Sequence, residues 1–506
     1  MSSYYITTPI YYVNDIPHIG HAYTTVASDV IARFMRLDTR EVFFLTGTDE
    51  HGQKVAKSAQ KNGMSPQSFV DKMCKPFQEL CTELNIANTD FIRTTDQRHK
   101  KCAQYFWNIL KENGHIYKGK YKGWYSVRDE AFYSEDEIKD GLAPTGAPVE
   151  WMEEESYFFN LSQWQDKLLQ FYDDNPGFIK PDYRKKEIVN FVKSGLRDLS
   201  ISRTTMKWGV PVPGDSDHVM YVWLDALTNY ISALGYPEKT EIFNQFWPAQ
   251  LHIVGKDILR FHAVYWPAFL MAAGIDLPKR VFAHGWWTNE GQKISKSVGN
   301  VIDPFEISSN YGVDYFRYYM IREVIFGNDG NFSEENFVSR INSELVNKIG
   351  NLTQRTLVFI YNNLNGKIPH IYDKEYVNKN NLIYDAHAFL SYARDYIENQ
   401  NTSEYIEGII SLASNANVFI DTEAPWNLKK ENTKKMADVL YIITEVIKCI
   451  AIYLQPIIPE KSSEILDQLK IEPSKRIFRC IKDMIKEGTE IQKPRPLFNK
   501  LTYVKK

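Results

Sequence analysis

YYITTPIYYVNDIPHIGH, residues 4–21, is the stretch that decides the fold. Its first ten residues are mostly β-branched and aromatic and read as a buried strand. A turn holding Pro17, His18, Gly20 and His21 follows at once. Beyond it, TTVASDVIARFMRL (24–37) sets Val26, Val30, Ile31 and Phe34 at helical spacing. A strand that passes through a polar turn into a helix predicts one unit of a parallel α/β sheet.

The same rhythm continues outward. EVFFLTG (41–47) is a second strand, and a helix starts at Ser65-Pro66, with Ser as N-cap and Pro in the first turn. DFIRTT (90–95) is a third strand and 97–113 a further helix. This β-α-β-α-β order predicts a doubly wound parallel sheet. From 116 to 210 short strand-like pieces, the Gly/Pro-rich GLAPTGAPVE and acidic runs suggest an insertion with its own small fold. The α/β pattern resumes with LHIVGKD (251–257), a helix over 258–274 and the strand VFAHGWW (281–287). After about residue 345 amphipathic helices dominate, as in a helical bundle. The expected divisions are 1–115, 116–210, 211–290, 291–345 and 346–506.

Bulk properties narrow the class. At 506 residues the chain is too long for one core. A net charge of −3 gives no general pull toward polyanions, so any RNA contact must use local basic patches. Lys429-Lys430 and Lys434-Lys435 read more readily as solvated helix faces. The five cysteines form no C-x-x-C pair, which suits a reducing cytosol and argues against a disulfide framework. The N-terminus lacks a signal core, and no apolar run approaches the ~18–20 residues of a membrane span. The expectation is a soluble, cytoplasmic protein with no membrane partner.

Two short motifs carry chemistry. In Pro17-His18-Ile19-Gly20-His21 two imidazoles stand at a strand-to-helix turn, where ligands of open α/β sheets bind and helix N-termini attract anions. Both rings can donate to phosphate oxygens, and Gly20 lets a nucleotide approach the backbone. Lys293-Ile294-Ser295-Lys296-Ser297 follows the turn Asn289-Glu290-Gly291. Its two ammonium groups can follow the charge that builds on a leaving pyrophosphate. Either motif alone also fits a bland reading, as turn histidines or an exposed basic loop.

In this order the two motifs resemble the HIGH and KMSKS signatures of class I aminoacyl-tRNA synthetases, with Ile at each variable position. The resemblance is closest to the methionyl-tRNA synthetase family and runs nearly the whole length. It is carried by PIYYVNDIPHIGHAYTT, FFLTGTDEHG, YVWLDALTNY, HIVGKDILRFHAVYWPA, the KISKS loop, NKIGNLTQR and APW. An insertion of about 100 residues is too small for the editing domain of the isoleucine, valine and leucine enzymes, and no Cys/His cluster suggests a cysteine enzyme.

The resemblance implies a Rossmann-type sheet split by a connective insertion and followed by an all-α anticodon-binding domain. It implies methionine activation by Mg-ATP through methionyl-adenylate, then transfer to the 3′-terminal adenosine of initiator and elongator tRNA(Met). His18, Gly20, His21, Lys293, Ser295, Lys296 and Ser297 would serve the nucleotide, with Gly255 and Asp257 near it. Ile10, Tyr12, Trp223, Ala226, Leu227, Tyr230 and His262 would form the methionine pocket. Asp49 would meet the substrate ammonium and Arg203 its carboxylate or the activation geometry, with His51 and Gly52 shaping the same site. An aromatic, adaptable pocket suits a thioether, which is only a weak acceptor. Asn351, Arg355 and Trp426 match the residues the family uses on the CAU anticodon.

The chain also departs from its relatives. Many carry zinc knuckles in the insertion, but here Ser126 and Asp129 stand at a C-x-x-C spacing and Ala143 near another expected cysteine. Those residues cannot build a soft four-ligand zinc site, so no metal ligands and a zinc-free insertion are expected. The end at Lys506, soon after the helical region, suggests a monomer. Two rival readings are a small nucleotidylyltransferase, which has no use for the helical bundle, and an inactive RNA-binding relative, which has no need of His18, His21 and Lys296.

Overall fold

The computed structural model describes residues 2–128, 131–133, 135–238, 241–294 and 300–503. Six strands build the main sheet: β1 (Ser3–Tyr12), β2 (Glu41–Asp49), β3 (Asp90–Arg93), β4 (Ile179–Lys180), β5 (Leu251–Gly255) and β6 (Val281–His284). Their order is β3-β2-β1-β5-β6-β4, and every pairing is parallel. From β1 the chain winds outward to β2 and β3, then returns to lay β5 and β6 on the other side. The order therefore reverses between β1 and β5, which opens a crevice at the carboxyl ends of those two strands.

Alternation along the strands separates two cores. Tyr4, Ile6, Phe44 and Ile253 pack on one face with the helix Ile19–Leu37, and that core runs on into the helical region. Tyr5, Phe43, Leu45 and Val254 face the other way, against Phe106, Trp107 and Phe269. Burial on both faces explains why these strands read as apolar runs rather than as alternating ones.

The stretch 116–210 is not one separate body. Ile116–Ser126 and Glu150–Phe159 pair antiparallel and, with Ala131–Tyr133 and Leu199–Ser200, make a four-stranded sheet. Between them, however, β4 returns to the main sheet as its edge, flanked by the helices Gln165–Asp174 and Asp182–Lys193. A two-residue strand offers too little pattern to be read in advance.

Two other elements differ from the pattern for stated physical reasons. The helix expected over 258–274 contains a π-helical turn, Phe261–Tyr265, before the α-helix Trp266–Ala273. Pro267 has no N–H to give to Ala263 O, and that carbonyl instead accepts from Tyr172 Oη at 2.6 Å. The strand expected over 281–287 breaks at Gly285, where a Cβ would lie 2.3 Å from Asn328 O. Past that crossing, Trp287–Asn289 joins a small sheet between Gln292–Lys293 and Gly330–Phe332. Glu290 and Gly291 turn it with φ of +48° and +77°, the double left-handed geometry of a tight hairpin.

The C-terminal region is helical, as read. Its central helix, Thr433–Leu454, is buried at every position from Met436 to Leu454, with its buried charges Glu445 and Lys448 paired to each other. A helical run from Glu334 to Asn363 passes through residue 345 without a break. Among the described residues no helix is long and apolar enough to cross a membrane.

Candidate active site

His18 is the N-cap of the helix Ile19–Leu37, with extended backbone. Its Nδ1 accepts from Gly20 N at 3.0 Å, while His21 Nδ1 accepts from His18 N at 3.1 Å. This is a capping box in which two imidazoles replace the usual hydroxyl and carboxylate. Each neutral ring therefore carries its proton on Nε2, so the pair presents two N–H donors beyond the helix N-terminus. Burial, and then the neighbouring His18, push His21 well below the ordinary imidazole range, so it is neutral at pH 7. A Cβ on Gly20 would lie 2.9 Å from His18 Cε1, which explains the glycine: it leaves room for the ring to fold back over the helix end.

These groups open into a cavity of about 750 Å³ in the crevice beyond β1 and β5. Ile10, Tyr12, His18, Gly20, His21, Asp49, Trp223, Ala226, Leu227, Tyr230, Gly255, Asp257 and His262 all line it. Asp49 is brought beside Tyr12 by the register of the two strands. Thirteen residues expected from sequence are thus gathered from four separate segments.

Part of the cavity lining is aromatic and neutral. Tyr230 Oη lies 2.7 Å from His262 Nε2, and His262 Nδ1 lies 2.9 Å from Ile258 O. A carbonyl cannot donate, so Nδ1 holds the proton and Tyr230 donates to Nε2. Burial lowers the His262 pKa to about 4, which keeps the ring uncharged. Trp223 stacks on Phe261 with centroids 3.5 Å apart and planes within 11°. The π-helical turn carries both Phe261 and His262 into this wall.

Some expectations fare differently. Arg203 does not line the cavity. It lies behind the wall in a smaller one bounded by Gly52, Tyr125, Tyr221 and Val222, with its guanidinium 4.1 Å over the Tyr221 ring. It donates to Ser200 Oγ at 2.7 Å and Ser202 O at 2.6 Å, acceptors within three residues of it along the chain. His51 is likewise buried outside the cavity. Lys293 ends the hairpin strand Gln292–Lys293 and Ile294 lines the cavity, while Ser295, Lys296 and Ser297 lie outside the described residues. Asp129 also lies outside them; Ser126 and Ala143 are buried, and no cysteine occurs between 116 and 210.

Sequence reasoning missed several cavity residues. Lys54 lies 5.6 Å over the Tyr12 ring, and His284 bonds Thr24 Oγ1 at 2.8 Å. Trp286 Nε1 donates to Asp257 at 3.1 Å, and Lys256 reaches over that indole to Asp329 at 2.7 Å. The motif-bearing segments contained His284 and Trp286, so proximity to VFAHGWW was the available signal.

In the helical region Asn351 and Arg355 stand one turn apart on the helix Asn351–Asn363. Arg355 pairs with Asp421 at 2.7 Å and Asn417 Oδ1 at 3.0 Å, on the helix that ends just before Trp426. Trp426 is 44% exposed at the start of Pro425–Glu431.

The whole chain is similar to known proteins in the same sense. A family described as tRNA synthetases class I (M) matches residues 4–146 and 141–357, and the anticodon binding domain of methionyl tRNA ligase matches 374–505. The methionine–tRNA ligase of Rickettsia felis is 58% identical over 504 residues, covering 98% of each chain. That of Brucella suis is 51% identical over 502 residues, covering 98% of this chain and 97% of its own. The structure of Mycobacterium tuberculosis methionyl-tRNA synthetase in complex with methionyl-adenylate superposes with a TM-score of 0.96 at 45% identity, over 98% of this chain and all of that one. With the donor pair, the neutral aromatic slot and the helical region joined in one chain in that order, the protein belongs to the methionyl-tRNA synthetase family of class I aminoacyl-tRNA synthetases.

Proposed function

We infer that this cavity activates L-methionine with ATP and then charges tRNA(Met). In the first step a methionine carboxylate oxygen attacks the α-phosphorus, forming methionyl-adenylate as the bond to the pyrophosphate oxygen breaks. In the second, a hydroxyl of the tRNA's terminal adenosine attacks the carbonyl carbon and AMP leaves. Neither step needs a side-chain nucleophile, so the protein contributes position and charge stabilisation.

His18 and His21 donate from Nε2 to phosphate oxygens, and Gly20 clears the approach. Lys293 and Lys296, with Ser295 and Ser297, follow the charge onto pyrophosphate. Gly255 and Asp257 serve the nucleoside, and Mg²⁺ arrives with ATP as part of the substrate. Asp49 holds the methionine ammonium. Ile10, Tyr12, Trp223, Ala226, Leu227, Tyr230 and His262 enclose the thioether. Arg203 acts indirectly, by supporting Tyr221 and Val222 behind the wall.

Asn351, Arg355 and Trp426 meet the anticodon of initiator and elongator tRNA, the Trp by stacking and the polar pair at base edges. The division 1–115, 116–210, 211–290, 291–345 and 346–506 remains our functional partition. The residues at the usual knuckle positions do not fit zinc, so the insertion works without it. The protein acts as a cytoplasmic monomer.

One observation carries this reading: a single cavity is lined both by two imidazole N–H donors and by an uncharged Tyr230–His262 pair. That combination suits a triphosphate beside an apolar amino-acid side chain. Methionine-dependent ATP–pyrophosphate exchange, run without tRNA against the other amino acids, tests it. Exchange with methionine alone supports the reading, exchange with another amino acid overturns the pocket, and none from folded protein overturns the activation step.

A further inference from the structure

Methionine recognition in this cavity draws on two parts of the chain far apart in sequence. Asp49 ends β2, whereas Trp223, Ala226 and Leu227 stand on the helix Val222–Leu227. The ammonium and the side chain of an amino acid branch from one carbon, so the gap between these two parts has to be fixed. A shape-selective pocket distinguishes one methylene by only about 10–200-fold, and slack in its wall would erode that margin.

Asp225 lies on the same wall helix but does not line the cavity. Its carboxylate is fully buried, with Oδ2 2.6 Å from His51 Nδ1 and Oδ1 2.8 Å from His99 Nε2. An ionised carboxylate only accepts, so both ring nitrogens donate to it. His99, on the helix Gln97–Glu112, reaches on through Nδ1 to Ser232 Oγ at 2.9 Å, two residues past Tyr230.

The loop on the other side is pinned as well. Glu50 accepts from Thr48 Oγ1 and Arg93 Nε, each at 2.7 Å, and Glu50 O accepts from Trp208 Nε1 at 2.6 Å. Gly52 N donates to Trp208 O at 3.2 Å. His51, between them, is the residue that reaches the wall helix.

A buried charge with two donors is an uneconomical way to gain stability, since an apolar replacement of the whole cluster is often as stable. Such groups are better suited to fixing registry. We propose that Asp225 is a positioning residue for methionine: by bridging His51 and His99 it holds the Trp223–Leu227 wall at a set distance from Asp49. The proposal rests on the reading of this cavity as the methionine site.

The test uses the full chain and the variants Asp225→Asn, His99→Leu and His99→Gln. Asparagine keeps the shape of Asp225 but can accept from only one of the two rings as they now stand. Leucine removes the His99 donor, whereas glutamine can place a donor near the position of Nε2. Pyrophosphate exchange gives KM for methionine and for ATP, the adenylate burst counts active sites, and thermal unfolding reports stability.

D225N and H99L should raise the methionine KM about tenfold or more and leave the ATP KM within about twofold, with H99Q close to the parent. A purely structural role would lower Tm and burst amplitude but leave the methionine KM of the surviving sites unchanged. That result overturns the proposal, and the His99 pair decides it even if D225N fails to fold. Absence of methionine-dependent exchange in the parent chain would instead overturn the site reading, and the proposal with it.

Discussion

Arg317 and Asp29 form a fully buried ion pair, Nη2 to Oδ2 at 2.7 Å, where the helix that begins after His18 meets the helical region. The same guanidinium donates to Leu84 O at 3.0 Å, Pro456 O at 2.8 Å and Ile457 O at 2.9 Å. Asp29 Oδ1 accepts from Ala87 N at 2.7 Å. One side chain thus fastens three segments that are remote in sequence. Arg317→Met leaves the Leu84, Pro456 and Ile457 carbonyls without this donor in the interior, while Asp29 keeps Arg33 Nε at 2.6 Å, and should cost about 3–5 kcal/mol, seen as a lower urea midpoint. Asp29→Asn keeps the shape and should cost less, about 1–3 kcal/mol. An unchanged midpoint in both would mean that the pair does not join the two regions.

The two signature histidines do separate jobs with their two nitrogens, so two substitutions can divide them. Asn places an acceptor near Nδ1 and preserves the helix cap, but has nothing at Nε2. H18N and H21N should therefore stay within about 1 kcal/mol of parental stability while losing about 10²–10³-fold in exchange rate. Gln at position 21 extends toward Nε2 and forgoes the cap, so H21Q should be the more active and the less stable of the two position-21 variants. The reverse order would place the catalytic contact at Nδ1.

His262 gives the site a pH dependence with a definite sign. Its folded pKa of about 4 lies below the ordinary 6.5, so the unfolded chain binds a proton more readily. Stability is therefore intact above pH 6.5 and falls as pH drops from 6.5 toward 4, by about 3 kcal/mol from this group alone. The methionine KM should stay flat from pH 8 to 6 and rise only as pH nears 4, when protonated His262 no longer accepts from Tyr230. Tm and KM against pH check both halves, and a KM rise centred on pH 6.5 would contradict the buried neutral ring.

Trp426 offers a half-exposed ring five residues beyond Asp421, the partner of Arg355. Stacking of one base is worth ~1–3 kcal/mol, so Trp426→Ala should raise KM for tRNA by about 5–150-fold. Exchange without tRNA should not change. Equal losses in both assays would mean that Trp426 supports the fold rather than the anticodon.

Much of the sheet was legible because its signals are local. β1, the turn after it and the helix Ile19–Leu37 are consecutive, and Ser65 caps the helix Pro66–Glu83 as its sequence suggests. The short helix Gln53–Lys61 was missed, since it is polar and buries only Val55 and Ala59. The π-helical turn was also missed, although Pro267 announced that a carbonyl near Ala263 would need another donor. The donor was Tyr172, ninety-one residues away, which no local pattern could supply.

By itself the sequence determined the winding of the parallel sheet, the helical region and the chemistry of His18, Gly20 and His21. Each of these follows from groups within a few residues of one another, where backbone geometry leaves few alternatives. Tertiary structure alone decided that β4 returns to the main sheet, that Arg203 stands behind the wall, and that Asp225 meets His51 and His99. The β4 pairing and the Asp225 contacts join residues about a hundred or more positions apart, and burial, not spacing, selects the partner of a polar group once water is gone.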